Sequence, residues 1–205
     1  FEVICKTLQA AMFGGAADFF LTLVPQLARL KRDHPEVIDP YHYVWRLKWL
    51  TSNMLDYPEV PLERIRQAET EYERELLDAG GGERTAIFVR WKNAIFMGRL
   101  GESEPLRELF LTMRRDRHAD CLACEANDLV RECLFRGNHH EAEAMAKDII
   151  SGRTRCIEVP HLTLPHLALS AELHGDPIKA AMYHKKGYRL VRSNVQFVAE
   201  VGLHM

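Results

Sequence analysis

One short pattern occurs twice and constrains everything else. Arg136-Gly137-Asn138 leads into His139-His140-Glu141-Ala142, and His174-Gly175-Asp176 leads into Pro177-Ile178-Lys179-Ala180. In each copy a helix-periodic stretch runs up to the glycine and another follows it. Glycine stops the first helix, and the Asn or Asp beside it starts the second. The two glycines stand 38 residues apart, the spacing of a structural repeat and not of a domain. A single helical hairpin cannot bury its own apolar face, so the pattern predicts stacked hairpins.

The rest of the chain punctuates in the same way. Apolar periodicity predicts helices over about 2–13, 16–32, 40–55, 62–79, 84–98, 104–115, 119–136, 139–150, 162–174 and 177–191, with an eleventh beginning near 194. Pro25 should bend or interrupt the second helix. Asp39-Pro40 reads as a cap followed by proline at the first helical position. Leu100-Gly101-Glu102-Ser103 is expected to be a turn. Hairpin turns fall at Gly14/Gly15, 57–61, Gly98/Gly101, Gly137 and Gly175, each about 40 residues from the next. Glu63–Arg66 and Glu71–Arg74 mark a solvated face on the fourth helix.

Composition narrows the function classes. A net charge of -2 gives no basic surface for nucleic acid, and no apolar run is long enough to span a membrane. Five cysteines are an odd count in a chain large enough to need no staples, so reduced thiols and a cytoplasmic setting are expected. Phe1 is not an initiator, and both ends are expected to be trimmed from a longer chain.

Over 121–190 the chain resembles the tetratricopeptide repeat family. Val130, Gly137-Asn138 and Ala142 match that pattern in one copy. Ala168, Gly175-Asp176, Ala180, Tyr183 and Gly187 match it in the next. The repeat around Gly101 keeps Ala94 and Phe110 but has Leu106 where Ala is expected, and the first two repeats depart further from the family's period of 34. The resemblance implies an all-α, right-handed α-solenoid of about five antiparallel hairpins plus a terminal helix. It implies one domain over 1–205, with clear repeats over 119–191 and divergent ones over 1–118. In this family the first helix of each pair lines a concave groove. Carried over by position, Asn127 and Arg131 fall on that inner face, and Trp91 falls where Asn127 does, one repeat earlier. Asn offers both a donor and an acceptor to a peptide backbone, and Arg can fork onto a carboxylate.

Other constellations have plain alternatives. Tyr41, Trp45 and Trp49, spaced by four with Arg46 and Lys48 beside them, are either packing between helical pairs or a groove wall. His118, Cys121 and Cys124 lie three apart and could share a metal, with a fourth ligand from His139, His140, His161 or Cys156, but no second Cys-x-x-Cys completes a zinc pattern. Cysteine packing as a small apolar residue explains them better than a site does. The histidines, among them His166, His174 and His184, sit in no nucleophile elbow or His-Glu-x-x-His motif. Gly80-Gly81-Gly82 lacks the Lys-Ser/Thr ending of a phosphate loop. The expected function is therefore a non-enzymatic module, without a cofactor or metal, that binds a protein or peptide segment. The alternatives are a peptide-responsive bacterial regulator whose effector or DNA-binding domain lies elsewhere, and a Cys/His metalloprotein or enzyme.

Overall fold

A computed structural model describes residues 1–16 and 18–205. Among the described residues there are twelve α-helices and no strand. They are α1 (Glu2–Phe13), α2 (Phe19–Asp33), α3 (Pro40–Asn53), α4 (Leu62–Asp78), α5 (Glu83–Phe96), α6 (Leu100–Thr112), α7 (Leu122–Phe135), α8 (His139–Met145), α9 (Lys147–Ile150), α10 (Thr163–Leu173), α11 (Pro177–Val191) and α12 (Val198–Leu203). The expected start of the second helix covers Ala17, which lies outside the described residues. The chain forms two compact units, Phe1–Ala119 and Asp120–Met205.

In the first unit α1 packs on α2, α3 on α4 and α5 on α6, and α3 also touches α1 and α5. Its core joins Leu8, Phe20, Val24, Leu27, Tyr43, Leu47, Tyr72, Leu76 and Val89. In the second unit α7 pairs with α8, α10 pairs with α11, and α10 packs on α7 and α12. Val130, Ala142, Ala146, Ile149, Leu164, Leu167 and Ala171 fill that core. No helix among the described residues is long and apolar enough to cross a membrane.

The helix ends follow local chemistry. Asp39 caps α3 by accepting from the His42 amide at 2.9 Å, and Asp176 caps α11 by accepting from the Lys179 amide at 3.0 Å. Gly137 and Gly175 adopt φ of 78° and 74°. Beyond each, the Asn138 amide reaches Cys133 O at 2.8 Å and the Asp176 amide reaches Ala171 O at 2.9 Å. These bonds close the same C-terminal motif on both helices. Gly98 does the same at φ 69°, with the Arg99 amide on Ala94 O at 2.8 Å. Because Gly98 already reverses the chain, Leu100–Ser103 wind into the first turn of α6 instead of forming the expected turn. Pro25 is accommodated inside α2, and Pro105 inside α6. The helix expected over 139–150 divides at Ala146, yet amide bonds from Ala146 to Ala142 O and from Ile150 to Ala146 O carry the ladder through.

A Cβ built on Gly175 would meet nothing within 4 Å, so only the backbone torsion demands glycine there. Gly175→Ala is expected to lower stability by about 1–2 kcal/mol, the cost of an L residue in the left-handed region. Gly175→Asn should lose less, because Asn tolerates that region. Urea midpoints of the full chain would decide: an alanine variant as stable as the parent would contradict the torsional account.

Candidate functional site

Helix α3 carries a ladder of rings. The Tyr41 and Trp45 centroids are 6.2 Å apart, and Trp45 and Trp49 are 6.4 Å apart. Trp49 continues edge-on to Phe13 and Phe20, each at 6.0 Å. All three α3 rings are half-buried. Their faces carry the protein's own cations. Lys48 Nζ sits 4.4 Å from the Trp45 ring and donates to His118 O at 3.0 Å. The Arg46 guanidinium lies 4.5 Å from the Trp49 ring. Lys48 is 4% exposed and Arg46 6%, so both charges are held in the interior by ring faces and neighbouring polar groups. Burial lowers the Arg46 pKa and raises that of its neighbour Cys5. With one indole face of each tryptophan occupied in this way, the ladder packs the unit together.

Trp91 is 0% exposed. Its ring packs 5.4 Å from Phe88 and 4.8 Å from Phe110, at the interface of α5 and α6. A residue expected on an accessible wall is thus in the centre of a core.

In the second unit, Asn127 is 1% exposed and its Oδ1 accepts from the Thr163 hydroxyl at 2.7 Å. That bond ties α7 to α10 and removes Asn127 from reach of a partner. Arg131, one turn further along α7, is half-buried. Its charge acts on half-buried His166 of α10, whose pKa is pushed down to about 3 by burial first and by Arg131 second. His166 therefore carries no charge near neutral pH, and Arg131 supplies the positive charge at this seam. Beside the seam a polar knot joins α8 to α11. Glu143 accepts from Lys179 Nζ at 2.6 Å and from the Tyr183 hydroxyl at 3.0 Å. Burial opposes the Glu143 charge, but these two donors outweigh it and lower its pKa. His139 Nδ1 meets the Ser170 hydroxyl at 2.6 Å, and its ring stacks on His174 at 4.6 Å.

The cysteines converge. Cys121 occupies the N-cap of α7, and its Sγ accepts from the Cys124 amide at 3.3 Å. Cys121 Sγ and Cys124 Sγ are 3.4 Å apart. Cys156, in the connection between α9 and α10, brings its Sγ to 3.5 Å from that of Cys124. Glu158 completes the surroundings: its amide donates to Cys156 Sγ at 3.4 Å, and its Oε2 lies 3.4 Å from Cys124 Sγ. Cys121 is exposed and the other two are half-buried. Burial raises the pKa of both Cys124 and Cys156, and for Cys124 the Glu158 charge adds to it. As free groups these two are therefore neutral thiols.

His118, expected to join this set, belongs to the first unit, where it is buried 5.0 Å from the Tyr41 ring. His161 is also engaged elsewhere, its ring flat on Phe197 at 4.7 Å. The Cys121-x-x-Cys124 spacing was a visible signal. Glu158 had none, because it lies in an irregular connection that periodicity does not place.

No protein-family model matches the chain, and no curated protein or solved structure shows significant similarity to it.

Proposed function

We propose that the chain is a helical-repeat module of tetratricopeptide type, a right-handed solenoid that binds a protein or peptide segment along the first helices of its pairs. The observation that carries this reading is the side-by-side packing of α7 and α10, with Arg131 and His166 adjacent and half-buried at the seam. The recurrence of one hairpin, closed each time by a left-handed glycine, supports the repeat architecture. Helices that hold their side chains before binding lose little ordering entropy, which suits recognition of an extended segment. The guanidinium of Arg131 fits a carboxylate, from an acidic side chain or a chain terminus.

The test uses the intact chain as bait and compares it with Arg131→Glu. The variant is expected to lose partner capture by about tenfold or more at a temperature where circular dichroism shows it folded, since reversing a recognition charge costs several kcal/mol. Unchanged capture by a folded Arg131→Glu variant would remove Arg131 from the recognition surface. Asn127→Ala serves a different purpose. It deletes a buried hydrogen bond and should destabilise the unit, so it does not report on binding.

A further inference from the structure

We propose that Cys121, Cys124 and Cys156 are three thiolate ligands of a zinc site, with the Glu158 carboxylate as the fourth ligand. The three Sγ atoms all lie within 4.8 Å of one another, two of the separations being 3.4 and 3.5 Å. A tetrahedron with Zn–S of about 2.3 Å has S···S edges of roughly 3.8 Å, so an ion can enter with small side-chain adjustments. With Zn–O of about 2.0 Å the sulfur-to-oxygen edge is roughly 3.5 Å; Glu158 Oε2 stands 3.4 Å from Cys124 Sγ, and its side chain must turn to come equally near the other two sulfurs, since only the three cysteines lie within 4.8 Å of one another.

Burial keeps the free Cys124 and Cys156 protonated, so the ion must displace their protons, and two backbone donors then face the sulfurs. The Cys124 amide points at Cys121 Sγ and the Glu158 amide at Cys156 Sγ. Backbone donors to ligand sulfur offset its charge and orient it, the role outer-shell hydrogen bonds play in metal centres. The ligands are also held before any ion arrives. Cys121 and Cys124 are fixed by the first turn of α7. Cys156 is fixed by its own amide on Val159 O at 3.0 Å. Three soft sulfurs select zinc over magnesium or calcium, which demand all-oxygen sets. A disulfide between any two of these cysteines would use two sulfurs at about 2.05 Å and strand the third. The ion would pin the start of α7 to the connection before α10, closing a loop of more than thirty residues inside the second unit.

The full chain, purified under reducing conditions, is titrated with zinc and, separately, with cobalt as a spectroscopic probe. One ion per chain is expected. Cobalt should give sulfur-to-metal charge transfer and the intense visible bands of a tetrahedral site. Cys156→Ser should weaken zinc binding at least about 100-fold, and Glu158→Gln about 10-fold, in keeping with the loss of a ligand or its orientation. Cys133→Ser, which alters a buried cysteine beside Met145, should leave the stoichiometry at one. The cobalt spectrum of the unaltered chain keeps the test decisive even where a cysteine variant folds poorly. No cobalt–thiolate absorption, or a disulfide within the trio that persists under reductant with zinc present, would overturn the site. Unchanged affinity in Glu158→Gln would overturn Glu158 as the fourth ligand.

Discussion

Trp91→Ala is expected to be the most damaging single substitution in the first unit, lowering stability by about 3–5 kcal/mol. The indole is fully buried and touches two further buried rings, Phe88 and Phe110. Truncation to Ala removes its transfer free energy and leaves a cavity walled by rings that cannot collapse into it. Trp91 Nε1 has no hydrogen-bond partner among the described residues, so the loss arises from packing and not from a broken polar contact. Trp91→Phe keeps most of the volume and should cost much less. Against a typical total of about 5–15 kcal/mol, the alanine variant would be partly unfolded at moderate temperature. Far-UV circular dichroism with urea would measure it. The same pair of variants separates a core role from a groove role: a folded Trp91→Phe chain that still captures its partner places the ring in the core, and one that folds normally but fails to bind would put Trp91 back on the recognition wall.

The same residue illustrates what was legible in the sequence. Helix positions were legible because apolar residues recur at the helical period, and Gly, Pro and Asp mark the ends with physical necessity. Where two glycines compete, as Gly98 and Gly101 do, composition cannot say which adopts the left-handed torsion, and the start of α6 was misplaced for that reason. Faces were harder. Trp91 and Asn127 both lie on first helices of pairs, but whether such a position looks into a seam or out to solvent depends on where the next helix sits. Thr163, which buries Asn127, is 36 residues away. The cysteine trio was half legible. Cys121 and Cys124 share a helix turn, whereas Cys156 and Glu158 come from an irregular connection placed only by tertiary structure. The aromatic spacing on α3 was correct as a pattern, but the sequence did not reveal that Lys48 and Arg46 cover its ring faces.

Acidification should weaken the second unit well before its carboxylates titrate. An unfolded histidine takes up a proton near pH 6.5, whereas His166 in the fold resists until about 3. Between those values the unfolded state binds more protons, so stability falls as pH falls. From pH 7.5 to 5 this one residue should remove about 2 kcal/mol, at about 1.4 kcal/mol per pH unit once below 6.5. His139, His161 and His204 are lowered in the same sense by burial and add to the slope. Glu143 acts in a separate window. Its pKa is depressed, so its stabilising bonds to Lys179 and Tyr183 persist above the ordinary carboxylate value of 4.5 and are lost only as pH drops below it. Urea midpoints of the parent and of His166→Gln, followed from pH 7.5 to 5, isolate the term. The glutamine variant cannot titrate and should show a slope shallower by about 2 kcal/mol over that range. Parallel curves would mean that His166 is protonated in the folded chain, and that the α7–α10 seam beside Arg131 is open enough to hydrate an imidazolium.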